Sequence, residues 1–132
     1  MTPIARRVAV IAYGAALLVW LSLEDSGSLS PPLLGTAGAV LLLTRTARPR
    51  SMVVWLLRGA GGGAVAVLIA ALLMLLKTGW HAHLVPDYPL SMIVEMLARA
   101  PAWSAAGALV GLGAGMIRTG VGPDQAAQSI CV

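Results

Sequence analysis

The chain has 132 residues, the length of one ordinary domain, yet 58% of them are hydrophobic and only 11% are charged. A soluble domain carries roughly 25% charged residues, because a small body has much surface to cover with polar side chains. With a mean hydropathy of +0.86, the composition excludes a soluble enzyme, a disordered tail and, with one Cys, a disulfide-stapled secreted domain; the net charge of +4 is not expected to mark nucleic-acid binding.

A helix needs about 20 mostly apolar residues to cross the hydrocarbon core of a membrane. Cutting the chain at its charges gives four candidates. The first covers 4–23. Its Arg6-Arg7 start and apolar run have the form of a signal peptide, but no small-x-small cleavage site follows Leu23, so it is expected to remain as a span. The second covers 30–45 and opens on Ser30-Pro31-Pro32, where proline suits a first helical turn. Its continuously apolar part, Leu33 to Leu43, is short, and a re-entrant segment is the alternative there. The third covers 52–76, and the fourth covers 102–118.

The second crossing is expected from the charges. Cytoplasmic loops collect Lys and Arg. Four spans place seven basic residues (Arg6, Arg7, Arg45, Arg48, Arg50, Arg58, Arg118) on one side and two (Lys77, Arg99) on the other. Dropping the second span scatters the arginines over both faces. The tryptophans fit the same frame, since indoles prefer the headgroup level. Trp20, Trp80 and Trp103 fall at the outer interface and Trp55 at the inner one, as lipid or partner contacts.

Lipid tails are as apolar as leucine, so helices associate in membranes through close packing of small residues. The fourth span carries Gly107, Gly111 and Gly115 at four-residue spacing, and the third carries Gly59 and Gly63, with Gly62, Ala66 and Ala70 on a neighbouring stripe. The second offers Gly35 and Ala39, and the first offers Ala5, Ala9, Ala12 and Ala16. Two glycine-rich helices would also leave room for a lipid tail, a quinone or a pigment ring.

Between the third and fourth spans, residues 89–100 form a short amphipathic helix by pattern. Leu90, Ile93, Val94 and Leu97 share one face, and Ser91, Glu95 and Arg99 share another. Asp87 or Tyr88 is placed to cap it and Pro101 to end it. Three turns are too few to span, so it is expected to lie in the outer interface.

Ionisable groups inside a membrane are the default functional candidates, because burying charge in lipid is costly. Away from the span ends, where Arg6, Arg7, Arg45 and Arg118 sit, the predicted spans contain one, Arg58, close enough to the cytoplasmic end for its side chain to snorkel to the headgroups, or to meet a lipid phosphate or a partner subunit. No carboxylate falls inside a span, which argues against proton-coupled antiport. His81 and His83 are candidate axial ligands for a haem or pigment, but their i, i+2 spacing does not chelate and no third ligand accompanies them. Cys131 fits neither a prenylation box nor a metal spacing. No catalytic signature is present.

The sequence thus predicts an all-α integral membrane protein. It is a four-transmembrane-helix bundle, N-in/C-in, with an interfacial helix between helices three and four. Residues 1–118 form the transmembrane domain and 119–132 a flexible cytoplasmic tail. Eight Arg to one Lys, abundant Ala and Gly, and no Phe suit a GC-rich bacterial genome and hence a bacterial inner membrane. The expected role is a non-enzymatic accessory or structural subunit of a respiratory, photosynthetic or transport complex. Its partners are other membrane subunits and the bilayer, it needs no cofactor or metal, and it does not bind nucleic acid. A small homo-oligomeric channel or transporter is the alternative.

Overall fold

The computed structural model describes residues 3–23, 28–43, 51–81 and 87–119. The basic loop Arg45-Arg48-Arg50, Glu24-Asp25, His83, Cys131 and the tail beyond Thr119 lie outside the described residues, as do the side chains of His81 and Arg118. Five helices follow in order: α1 (Pro3–Ser22), α2 (Ser30–Leu43), α3 (Met52–His81), α4 (Leu90–Ala98) and α5 (Ala100–Thr119). Among the described residues there is no strand.

Three helices, α1, α3 and α5, are long and apolar enough to cross a membrane. The 14 residues of α2 rise about 21 Å at 1.5 Å per residue, against a hydrocarbon core of about 30 Å. Helix length alone therefore allows three crossings, and α2, described as far as Leu43, is shorter than the expected 30–45 span. The third helix runs past the expected end at residue 76 to His81. A lysine at 77 reads as a boundary in sequence, but here its ammonium is sheltered by an aromatic ring and the helix continues through it.

α3 is the central element, with antiparallel neighbours on two of its faces. The Gly59/Gly63 stripe meets α5, where a Cβ on either glycine would overlap the carbonyls of Gly107 or Trp103. Reciprocally, a Cβ on Gly107 or Gly111 would overlap the carbonyls of Gly59 or Trp55. These four positions require glycine because backbone rests on backbone. The neighbouring Gly62/Ala66/Ala70 stripe serves α2: a Cβ on Gly35 would strike the Ala66 carbonyl and lie 3.0 Å from the Ala70 nitrogen. Such contacts supply dispersion attraction that lipid cannot match, which is how helices associate without a hydrophobic driving force.

The alanine stripe expected to pack α1 does not do so, as Ala5, Ala12 and Ala16 are exposed. Two aromatic residues hold this helix instead. The Tyr13 hydroxyl donates to the Leu34 carbonyl at 3.0 Å, through space left by Gly38, whose Cβ would come within 2.6 Å of that hydroxyl. Trp20 enters the main cluster with Val67, Ala70, Met74, Tyr88, Ile93 and Met96. Trp20 is 6% exposed, which corrects its expected place as an interfacial anchor: its ring packs inward over α3. Large side chains thus fill one end of the bundle, while glycine seams close the other.

Helix α4 begins on Pro89, whose carbonyl accepts from the Met92 amide at 3.0 Å; it has no side-chain cap. The N-cap position thus falls to Pro89 rather than to the expected Asp87 or Tyr88. Pro101 does not end α4 either; it stands in the first turn of α5, where its missing N–H has no helical partner to lose. The face of α4 turned inward is Met92, Ile93 and Met96, while Leu90, Val94 and Leu97 stay exposed. Flexible methionines fit the irregular surface of the cluster. The expected apolar face is thus split, half facing the bundle and half facing its surroundings.

Candidate functional site

Where the glycine seams meet, the helices leave an elongated groove of about 940 Å³, at the upper end of the size range of small-molecule sites, about 300–1,000 Å³. Its floor is the α3–α5 seam, with Gly59, Gly62, Gly63, Gly107 and Gly111. The walls come from α2 through Thr36, Ala39, Val40 and Leu43, and from α5 through Ala106, Val110 and Ala114. Small residues make the groove: they bring the backbones together and leave no side chains to fill the space alongside. From Trp103 to Ala114 along α5 the lining extends about 16 Å, roughly half the thickness of a hydrocarbon core.

Polar groups gather at one end. Arg6 of α1 and Arg58 of α3 both line the groove, together with Pro3 and Trp55. Arg6 lies one turn into α1 and Arg58 nearly two turns into α3. No Asp or Glu is among the described residues lining it. Thr36 adds little polarity, because its hydroxyl donates to the Pro32 carbonyl at 2.7 Å within α2. The arrangement is an apolar trough with a doubly cationic mouth, suited to a chain-like apolar molecule that carries negative charge at one end.

The opposite end of the bundle holds a second concentration of polar groups. Lys77 is fully buried, with Nζ 4.6 Å from the centroid of the Trp20 ring. Trp20 in turn sits 6.4 Å from Tyr88, with the rings inclined by 31°. Beside them the Tyr88 amide donates to Thr78 Oγ1 at 3.2 Å, and the Thr78 hydroxyl donates to the Tyr88 carbonyl at 3.5 Å. This clasp ties the turn before α4 to the end of α3. Through the Lys77–Trp20 and Trp20–Tyr88 contacts, α1 meets the same two segments.

Of the residues singled out in sequence, Gly59, Gly63, Gly107 and Gly111 meet at the α3–α5 seam, and Gly115 packs on Met52 and Trp55. Arg58, Trp55 and Trp103 line the groove. Trp80 is 67% exposed at the end of α3, while Trp20 is in the core. His81 closes α3, and His83 is outside the described residues. Among the described residues no group of three or more His, Cys, Asp or Glu stands ready to hold a metal. Sequence reasoning missed two participants, Arg6 and Lys77. By sequence Arg6 serves as an orientation signal and Lys77 falls beyond the expected end of the third span, and neither pattern shows the contacts that distant helices bring to them.

No protein-family model matches the chain, and no curated protein or solved structure matches it either.

Proposed function

We propose that this protein is a small accessory subunit of a larger bacterial membrane complex, one that contributes packing surfaces and a lipid-sized groove rather than chemistry. The observation that carries this reading is the α3–α5 seam. Gly59, Gly63, Gly107 and Gly111 bring the two backbones into contact, which favours a packing role over a water-filled path between these helices. A homo-oligomeric channel is the alternative, and the glycine-lined α3 and α5 would then supply its pathway. Apolar side chains meanwhile cover the outside of α5, where Leu109, Val110 and Ile117 are 70–85% exposed, offering a surface to neighbouring subunits or acyl chains.

In this reading the chain crosses the inner membrane four times with both termini cytoplasmic. The positive-inside asymmetry supports the count, and α2 crosses in a locally thinned bilayer, a mismatch that membranes accommodate at modest cost. A reporter fused after Thr119 that is active only in the cytoplasm is expected to be active; activity only from a periplasmic reporter refutes the topology. Extraction in a gentle detergent, followed by mass spectrometry, tests the subunit role. Other membrane polypeptides are expected to co-purify in fixed ratio, and migration alone or only with its own copies contradicts it.

A further inference from the structure

We propose that the groove between α2, α3 and α5 is a binding site for one anionic phospholipid, with an acyl chain along the glycine floor and the phosphate held by Arg6 and Arg58. The inference sharpens the lipid-binding part of the function proposed above and rests on its membrane placement.

Three features select this occupant. The first is charge: two guanidinium groups line one end and no carboxylate is among the described lining residues. Arginine is suited to phosphate, presenting several N–H donors in a planar fork. The second is depth. Arg6 and Arg58 stand within two turns of the starts of α1 and α3, the zone from which long side chains reach the headgroup level. A lipid in the cytoplasmic leaflet brings its phosphate to that level without help. The third is length, since a trough about half a bilayer long matches the tail of one leaflet rather than a crossing helix. A partner helix lying there would need to bring an anion to this end of the groove, whereas a phospholipid carries one by constitution.

The test uses the full chain purified in a zwitterionic detergent, alone and without partner subunits, titrated with phosphatidylglycerol or phosphatidylcholine and read by native mass spectrometry. Wild type is expected to hold one phosphatidylglycerol and to prefer it over phosphatidylcholine by about thirtyfold, the size two basic residues give against anionic lipid. Arg6→Gln with Arg58→Gln is expected to abolish the preference, and the corresponding double change to Lys to keep most of it. Ala106→Phe, placed on an exposed part of the groove wall, is expected to weaken both lipids by filling the trough. Circular dichroism reports whether each variant retains wild-type helicity. If the double Gln variant loses helicity, Arg6→Gln alone and Ala106→Phe decide the matter. Equal affinity for the two lipids in wild type overturns the proposal, as does a preference that survives in a folded double Gln variant. Displacement of the lipid by inorganic phosphate identifies a bare anion site and also overturns it, as does a dimer of the chain that excludes lipid. Because the isolated chain is used, failure here leaves the subunit role standing, and an absence of co-purifying subunits leaves the lipid site standing.

Discussion

Lys77 and Trp20 hold each other inside the bundle, the lysine Nζ lying 4.6 Å from the centre of the indole ring. A cation on an aromatic face is attracted by the ring quadrupole, and the attraction grows where water is excluded. The pair joins α1 to α3 at the end where Leu17, Trp20 and Leu21 pack on the main cluster. A double-mutant cycle with Trp20→Leu and Lys77→Met, followed by unfolding in mixed detergent, is expected to give a coupling of about 0.5–2 kcal/mol. Strictly additive losses would show that the two residues merely lie side by side.

The glycine seam makes a sharper contrast. Gly107→Ala drives a methyl group into the Gly59 carbonyl, and overpacking of this kind costs about 1–3 kcal/mol. Gly113, in the same helix, has nothing within 4 Å of a built Cβ. Gly113→Ala is therefore expected to be neutral or to stabilise by up to about 1 kcal/mol through helix propensity. Equal effects of the two substitutions on unfolding free energy would mean that α3 and α5 do not pack as described.

The Thr78–Tyr88 clasp governs the position of α4. Thr78→Val keeps the shape of the side chain but removes the acceptor of the Tyr88 amide and the donor to its carbonyl. Leaving these partly buried groups unsatisfied costs about 1–3 kcal/mol. The expected readout is faster hydrogen exchange at Tyr88 and in the first turn of α4, with exchange in the α3–α5 seam unchanged. A uniform rise in exchange across all helices would point to general destabilisation instead.

The sequence carried the helices and their seams, and the reason is local. Small residues at four-residue spacing read directly as faces, so the two stripes on α3 and the ridge on α5 were visible before their partners were known. What was not legible depended on contacts between distant segments. Lys77 looked like a helix boundary because its shelter, Trp20, is far away in the chain. Trp20 looked like a headgroup anchor because its position near a helix end is the same whether the ring turns outward or inward. The packed face of α4 was misjudged for a related reason: Met92 and Met96 add a second apolar side, and periodicity does not say which side meets the bundle. The groove was hidden altogether, since it is an absence of side chains between three helices. Only the presence of Arg6 and Arg58 near the starts of their helices hinted at its charged mouth.

The subunit role is tested most directly on the outer face of α5. A photo-crosslinking amino acid placed at Leu109 or Ile117, which are 70% and 85% exposed, reports what covers this helix in the membranes of its native host. One or a few distinct membrane polypeptides, captured at fixed positions and in fixed ratio, are the expected result. Crosslinks to lipid alone, or only to further copies of this chain, would contradict an accessory subunit.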